Sequence, residues 1–169
     1  EGNVTSVATK TSIPTNIDSS ILSRLLDEGY GPGAWHGADL RAAVADVSDT
    51  TAFWRPASGR HNIAEVALHH AFCAHSVIGQ LTGTDPGTFA VEGSDWFELS
   101  GKSLTWEAVL STLDTTQQRL AGVVADIASG ALASPLDGRA QFDLVLGIAC
   151  HAVYHAGQIQ LIKALRAVP

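Results

Sequence analysis

His151 and His155 lie four positions apart in the segment Gly147-Ile148-Ala149-Cys150-His151-Ala152-Val153-Tyr154-His155-Ala156-Gly157-Gln158-Ile159. In an α-helix residues i and i+4 share a face, so both imidazoles point the same way. Leu144, Ile148, Gln158 and Ile162 fall on that face at helical spacing, which makes the surroundings of the two histidines mostly apolar. Two unpaired imidazoles in such a stripe are costly to bury, whereas two neutral imidazoles on one metal ion are satisfied. His-x-x-x-His on a helix is a recurrent source of two ligands for a transition metal. Spacing alone leaves this reading level with its alternative, hydrogen bonding of the histidines inside a helical bundle.

A third ligand has to come from another element, and His69, His70 and His75 lie together in one long apolar stretch. Ile63, Val66, His70, Cys73, Val77 and Leu81 form its tidiest stripe, which favours His70 as the inward residue. His69 sits between two apolar edges, Val66 and Cys73 on one side and Leu68 and Phe72 on the other, so a helix packed on both flanks aims it inward instead. His75 reads as a surface or interface residue.

The elements that must carry these side chains are helical nearly throughout. The spacing predicts helices over residues 18–28, 39–47, 62–81, 105–128 and 142–167, with Asp18 and Asn62 as N-caps. Residues 83–101 form a long connection with Asp85-Pro86-Gly87, Trp96 and Phe97, and connections of this length are often functional. The two aromatics either line a pocket or pin the loop to the bundle. No convincing strand alternation or internal repeat is present. Four principal helices with apolar stripes predict an all-α four-helix bundle, with the long loop between the second and third long helices. Residues 1–16 are Thr/Ser-rich and read as a flexible tail, leaving 17–169 as the bundle domain.

Composition sets the outer limits. The chain has 169 residues, 46% of them hydrophobic and 16% charged, which suits one compact domain rather than disorder. Ten Lys and Arg against 17 Asp and Glu give a net charge of −7, a poor basis for neutralising nucleic-acid phosphates. No apolar run approaches a membrane span, and residues 1–16 have no apolar core of the kind a signal peptide needs, so a cytoplasmic location is expected. Cys73 and Cys150 are too few for a disulfide framework and read as small buried hydrophobes, although each lies close to a histidine.

Three segments carry a family resemblance. His61-Asn62-Ile63-Ala64-Glu65-Val66-Ala67-Leu68-His69-His70 resembles the second-helix motif of the DinB-like family, His-Ser-Ile-Trp-Glu-x-x-x-His. His151-Ala152-Val153-Tyr154-His155-Ala156-Gly157-Gln158-Ile159 is similar to its final-helix motif, and Trp35-His36-Gly37 followed by Leu40 to its early Trp-His-Gly segment. The order and separations match from about residue 20 onward. The resemblance implies a metal centre with His69, His151 and His155 as ligands, and so prefers His69 over His70, where the family usually has an apolar residue. Ala64 stands where an aromatic is common, and Asn62 where the family has Ser. Glu65, Gln158, His36, Trp35 and His61 are candidates for supporting or pocket roles, with local hydrogen bonding or capping as the alternative for each.

Three nitrogen ligands leave at least one coordination position for water or substrate, the arrangement of catalytic metal sites. The resemblance implies Zn or Ni, with Fe and Mn as further candidates, since imidazole suits several metals. It also implies a homodimer, as do Val145, Ala149, Val153 and Ala156 flanking the histidine stripe. Two classes of function follow: activation of a low-molecular-weight thiol for transfer to a small electrophile, or a non-catalytic, stress-associated metal-binding role. Hydrolysis by activated water is a third. The 83–101 loop and the Trp35-His36-Gly37 turn are expected to border the opening.

Overall fold

In the computed structural model, described over residues 19–93 and 95–167, the chain is built from helices and carries no β-strand among the described residues. The 1–16 tail and the Asp18 cap fall outside those residues. Helix α1 (Ser19–Tyr30) buries Leu22, Leu26 and Tyr30, one face at four-residue spacing. Two short helices follow, α2 (Leu40–Val44), capped by the Asp39 carboxylate on the Ala42 N–H at 2.8 Å, and α3 (Asp49–Ala52), which periodicity did not resolve. The three remaining long helices are α4 (Ile63–Thr82), α5 (Trp106–Ser129) and α6 (Gly138–Ala167).

Helix α4 starts where the sequence signals a start. The Asn62 side chain accepts from the Glu65 N–H at 2.9 Å, and the Glu65 carboxylate accepts in return from the Asn62 N–H. It ends at Gly83, whose left-handed backbone (φ 66°) closes the last turn. Helix α6 begins four residues earlier than expected and runs for 30 residues. It is long and apolar enough to cross a membrane by length and composition, which the sequence expectation did not anticipate. In the fold it lies against α1, α2 and α4 as part of the bundle.

Helices α4 and α5 pack together, α1 and α6 pack together, and α4–α6 and α1–α5 contacts close the ring of four. The approach of α1 to α6 depends on Gly29, where a Cβ would sit 2.6 Å from the Ala149 carbonyl oxygen. Val145, Ala149 and Ala156, which had suggested a dimer face, are buried inside this single chain.

The core is two clusters, not one. The first contains Leu40, Ile63, Leu68, Trp106, Leu113 and Ile159; the second contains Leu22, Ile78, Leu81, Leu120, Val145 and Ile148. All four long helices run through both. Polar residues sit at or beside this boundary in three of the helices: Thr116 and Gln117 in α5, His151 in α6, and in α4 His69 and His70, just before Ala71 and Phe72 end the first cluster's stretch. A polar stratum therefore cuts the bundle, and the histidines lie in it.

Candidate metal centre

Helices α4 and α6 bring the expected ligands together. The Nε2 atoms of His151 and His69 are 3.2 Å apart, and those of His155 and His151 are 2.9 Å apart. Two nitrogens each bonded to one Zn at ~2.0–2.1 Å, subtending 90–110°, are separated by roughly 2.9–3.4 Å. The observed spacing fits that geometry. His69 and His155 are buried, and His151 is half-buried.

The outer ring nitrogens fix which way the inner ones face. His69 Nδ1 lies 2.7 Å from the Asp95 carbonyl oxygen, which can only accept, so Nδ1 carries the proton and Nε2 presents a lone pair to the cluster. His155 Nδ1 donates to the Gln158 side-chain oxygen at 2.6 Å, with the same result. Gln158 thus orients a candidate ligand. His151 Nδ1 is 3.1 Å from Nδ1 of His70. For His151 to offer a lone pair inward, its Nδ1–H must donate to His70, leaving the His70 Nε2–H buried; that atom has no hydrogen-bond partner among the described residues. His70 is inward, as its apolar stripe favoured, but it stands behind His151.

Burial drives the imidazoles toward their neutral, ligand-competent form. It pushes His155 down to about 4, helped by the neighbouring His151, and lowers His151, helped by His69. His70 is held well below the ordinary histidine value by burial, then by His151, His155 and His69.

Cys73 is a donor that the sequence reading undervalued. One turn past His69, its Sγ lies 3.8 Å from His69 Nε2, and its ligand atom falls within 4.8 Å of those of His69 and His151. Burial, with the Asp95 charge, raises the thiol to about 11, so it is a neutral SH without a cation beside it. Its proximity to His69 at i+4 was the available signal. Cys150, expected to be buried, is exposed.

Trp96 of the long loop covers the cluster. Its ring is sandwiched between His61 (centroids 3.7 Å apart) and His69 (4.0 Å). Asp95, just before it, adopts a left-handed backbone (φ 57°) uncommon for a residue with a Cβ, and this residue supplies the carbonyl that holds His69. Phe97 is instead buried in the first core cluster. The loop therefore does both things weighed for it: Trp96 and Phe97 line a cavity, and Phe97 also pins the loop to the core.

Glu65 is committed elsewhere. Its carboxylate accepts from Arg55, from the Leu99 N–H at 2.8 Å and from His61 Nδ1 at 3.1 Å, besides the Asn62 cap. Burial alone would raise its pKa, but the Arg55, Leu99 and His61 hydrogen bonds outweigh that and lower it. These bonds tie the start of α4 to the end of the loop. His75, expected at the surface or an interface, is buried within the chain and donates from Nε2 to the Gly87 carbonyl at 2.9 Å. Trp35 is 91% exposed, and His36 Nε2–H donates to the Glu28 carbonyl at 2.9 Å. Neither lines the two cavities that meet at Trp96. Those are a polar one of about 430 Å³ bounded by Arg55, Glu65 and Glu98, and a more apolar one of about 470 Å³ bounded by Val66, Gln158 and Leu161.

The chemistry of this donor set is that of a transition-metal centre: neutral imidazole nitrogens converging, oriented by outer acceptors, with a thiol at the edge. No curated protein and no solved structure matches the chain. The sequence profile of the DinB superfamily matches residues 34–159, a span that takes in His69, His151, His155 and most of the bundle, and the chain belongs to that superfamily.

Proposed function

We propose that this protein binds one divalent transition-metal ion through His69, His151 and His155 and uses it to activate a low-molecular-weight thiol for transfer to a small electrophile. The observation that carries the metal reading is the convergence of Nε2 lone pairs at 2.9 and 3.2 Å, each His69 and His155 ring turned by an acceptor on its far side. When bound, the ion supplies a Lewis acid that lowers the pKa of a thiol or water at neutral pH. The chain supplies the rest. His69 and His155 hold lone pairs inward, His70 Nδ1 accepts a hydrogen bond from the His151 Nδ1–H, and Trp96 covers the His69 side. Cys73 is a fourth donor within reach of His69 and His151, and whether it engages decides how open the centre is.

Zn or Ni is the proposed ion, with Fe or Mn next. The two unpaired thiols suit a cytoplasmic setting. Pairing of two copies belongs to the same proposal. Its support is the family resemblance and the exposed Ile21 and Tyr154 on the adjoining helices α1 and α6. The second reading, a non-catalytic stress-associated metal-binding protein, is favoured by Cys73, because four protein donors close the site against substrate.

The test is metal analysis of tag-free protein followed by a thiol-transfer screen. One ion per chain, lost in His69→Ala and His151→Ala and kept in His75→Ala, supports the centre. Thiol transfer that disappears with the ion supports the enzyme. Full occupancy in His69→Ala refutes the ligand set, and occupancy without thiol transfer in Cys73→Ser as well as in the unsubstituted protein favours the second reading.

A further inference from the structure

The more apolar of the two cavities shares a wall with the metal centre. Gln158, which accepts from His155 Nδ1, and Trp96, which stacks on His69, both line it. Its body is Pro56, Val66, Leu161, Ile162 and Leu165, drawn from the 53–60 turn, α4 and α6. Leu161 and Leu165, one turn apart on α6, are 60% and 48% exposed, apolar side chains left facing water along this hollow. At about 470 Å³ the cavity lies within the range of roughly 300–1,000 Å³ typical of small-molecule sites.

The charge at its rim is specific. Arg60 borders the cavity, and among the described residues its guanidinium has neither an ion-pair partner nor a side-chain hydrogen bond. Arg55, a few residues away, is by contrast committed to Glu65. Among the described residues no Asp or Glu lines the cavity, although the chain carries 17 of them against 10 Lys and Arg. An apolar hollow with one uncommitted guanidinium at its edge matches an apolar molecule with one anionic end, because a guanidinium pairs a carboxylate through two parallel hydrogen bonds.

We propose that this cavity binds a small amphiphilic carboxylate, its acyl or aryl body against Val66, Leu161 and Leu165 and its carboxylate on Arg60. That such a molecule is the electrophile handled at the neighbouring centre rests on the metal reading above; that it binds does not. The ligand end nearest Gln158 and Trp96 is the end presented to His155 and His69.

Isothermal calorimetry with decanoate and decanol, on protein freed of metal and on protein loaded with Zn, separates these claims. The expected result is saturable one-to-one decanoate binding to both forms, tighter than decanol. Arg60→Gln should weaken decanoate by roughly ten- to hundredfold, as for loss of a charged hydrogen bond, and leave decanol unchanged. Leu161→Asp, or Leu165→Asp if the first variant fails to fold by circular dichroism, should abolish both. Equal affinities for decanoate and decanol, or unchanged decanoate binding in Arg60→Gln, overturn the proposal. So does absence of binding in a protein that light scattering shows as a dimer broken by Leu161→Asp, since the cavity is then an interface between copies. Loss of metal binding with decanoate binding intact would refute the metal reading alone.

Discussion

Replacing His70 by leucine separates two roles that the cluster combines. His70 is 1% exposed, its Nδ1 is 3.1 Å from His151 Nδ1, and its Nε2 is buried without a partner among the described residues. An unsatisfied buried donor costs about 1–3 kcal/mol, which leucine removes. Against that stands the loss of one hydrogen bond, about 1 kcal/mol, and a newly unpaired Nδ1 on the half-buried His151. The two sides nearly cancel, so metal-free His70→Leu should melt within a few degrees of the unsubstituted protein. Metal affinity should behave differently. With no acceptor behind it, His151 loses the bond that fixes its tautomer and ring orientation, and loss of such a partner typically costs 10–100-fold in affinity. Competition against a chromogenic chelator reads that change with Zn or Ni, and His70→Gln, which restores an acceptor, should recover part of it. An affinity within threefold of the unsubstituted protein would falsify the positioning role. Loss as complete as in His69→Ala would make His70 a ligand.

Acid should destabilise the metal-free protein through His155. Its folded value near 4 lies below the unfolded value near 6.5, so falling pH protonates the unfolded chain first. The stability this group contributes is fully present above about pH 6.5 and is lost between there and pH 4, up to about 3 kcal/mol, readable in urea melts across that window. Chelation should strip the ion and leave most of the helical signal in circular dichroism, because both apolar clusters are complete without it; outright unfolding would show that the ion is a structural staple. Light scattering over a concentration series should give the mass of a dimer, and a monomer at every concentration would end the pairing proposal.

The helices were legible because their signals are local. Asn62 followed three residues later by Glu65 announces the start of α4, and the apolar spacing in α5 predicts residues that are in fact buried, among them Val109, Leu113, Leu120 and Val124. The i, i+4 pair in α6 likewise announced itself. The choice between His69 and His70 was not legible from period alone, because α4 is covered on more than one side and both residues are buried. For Glu65 the sequence offered a supporting role or hydrogen bonding elsewhere; the second holds, but its tertiary partners, Arg55 and the Leu99 N–H, lie 10 and 34 residues away, beyond any helical repeat. His75 was misplaced for the same reason, since its acceptor is a loop carbonyl at Gly87. Trp96 reaches the site only through the turn at Asp95, whose left-handed backbone leaves no mark in apolar patterning.

The polar stratum between the two core clusters bears on cooperativity as well as on binding. Hydrophobic contact is what normally makes a bundle unfold as one unit, and here the two clusters part at Thr116 and Gln117 in α5, at His151 in α6, and between Phe72 and Cys73 in α4, just past the His69–His70 pair. The half holding Leu68, Trp106 and Ile159 and the half holding Ile78, Leu120 and Val145 are thereby set up as two foldons, joined by continuous helices and by the imidazoles. Native-state amide exchange on metal-free protein should sort the amides of α4 into two opening free energies, with the break near His70. An ion on His69, His151 and His155 would bridge α4 and α6 at that break and draw the two values together, so that occupancy is read in the collective opening of helices rather than at the site itself.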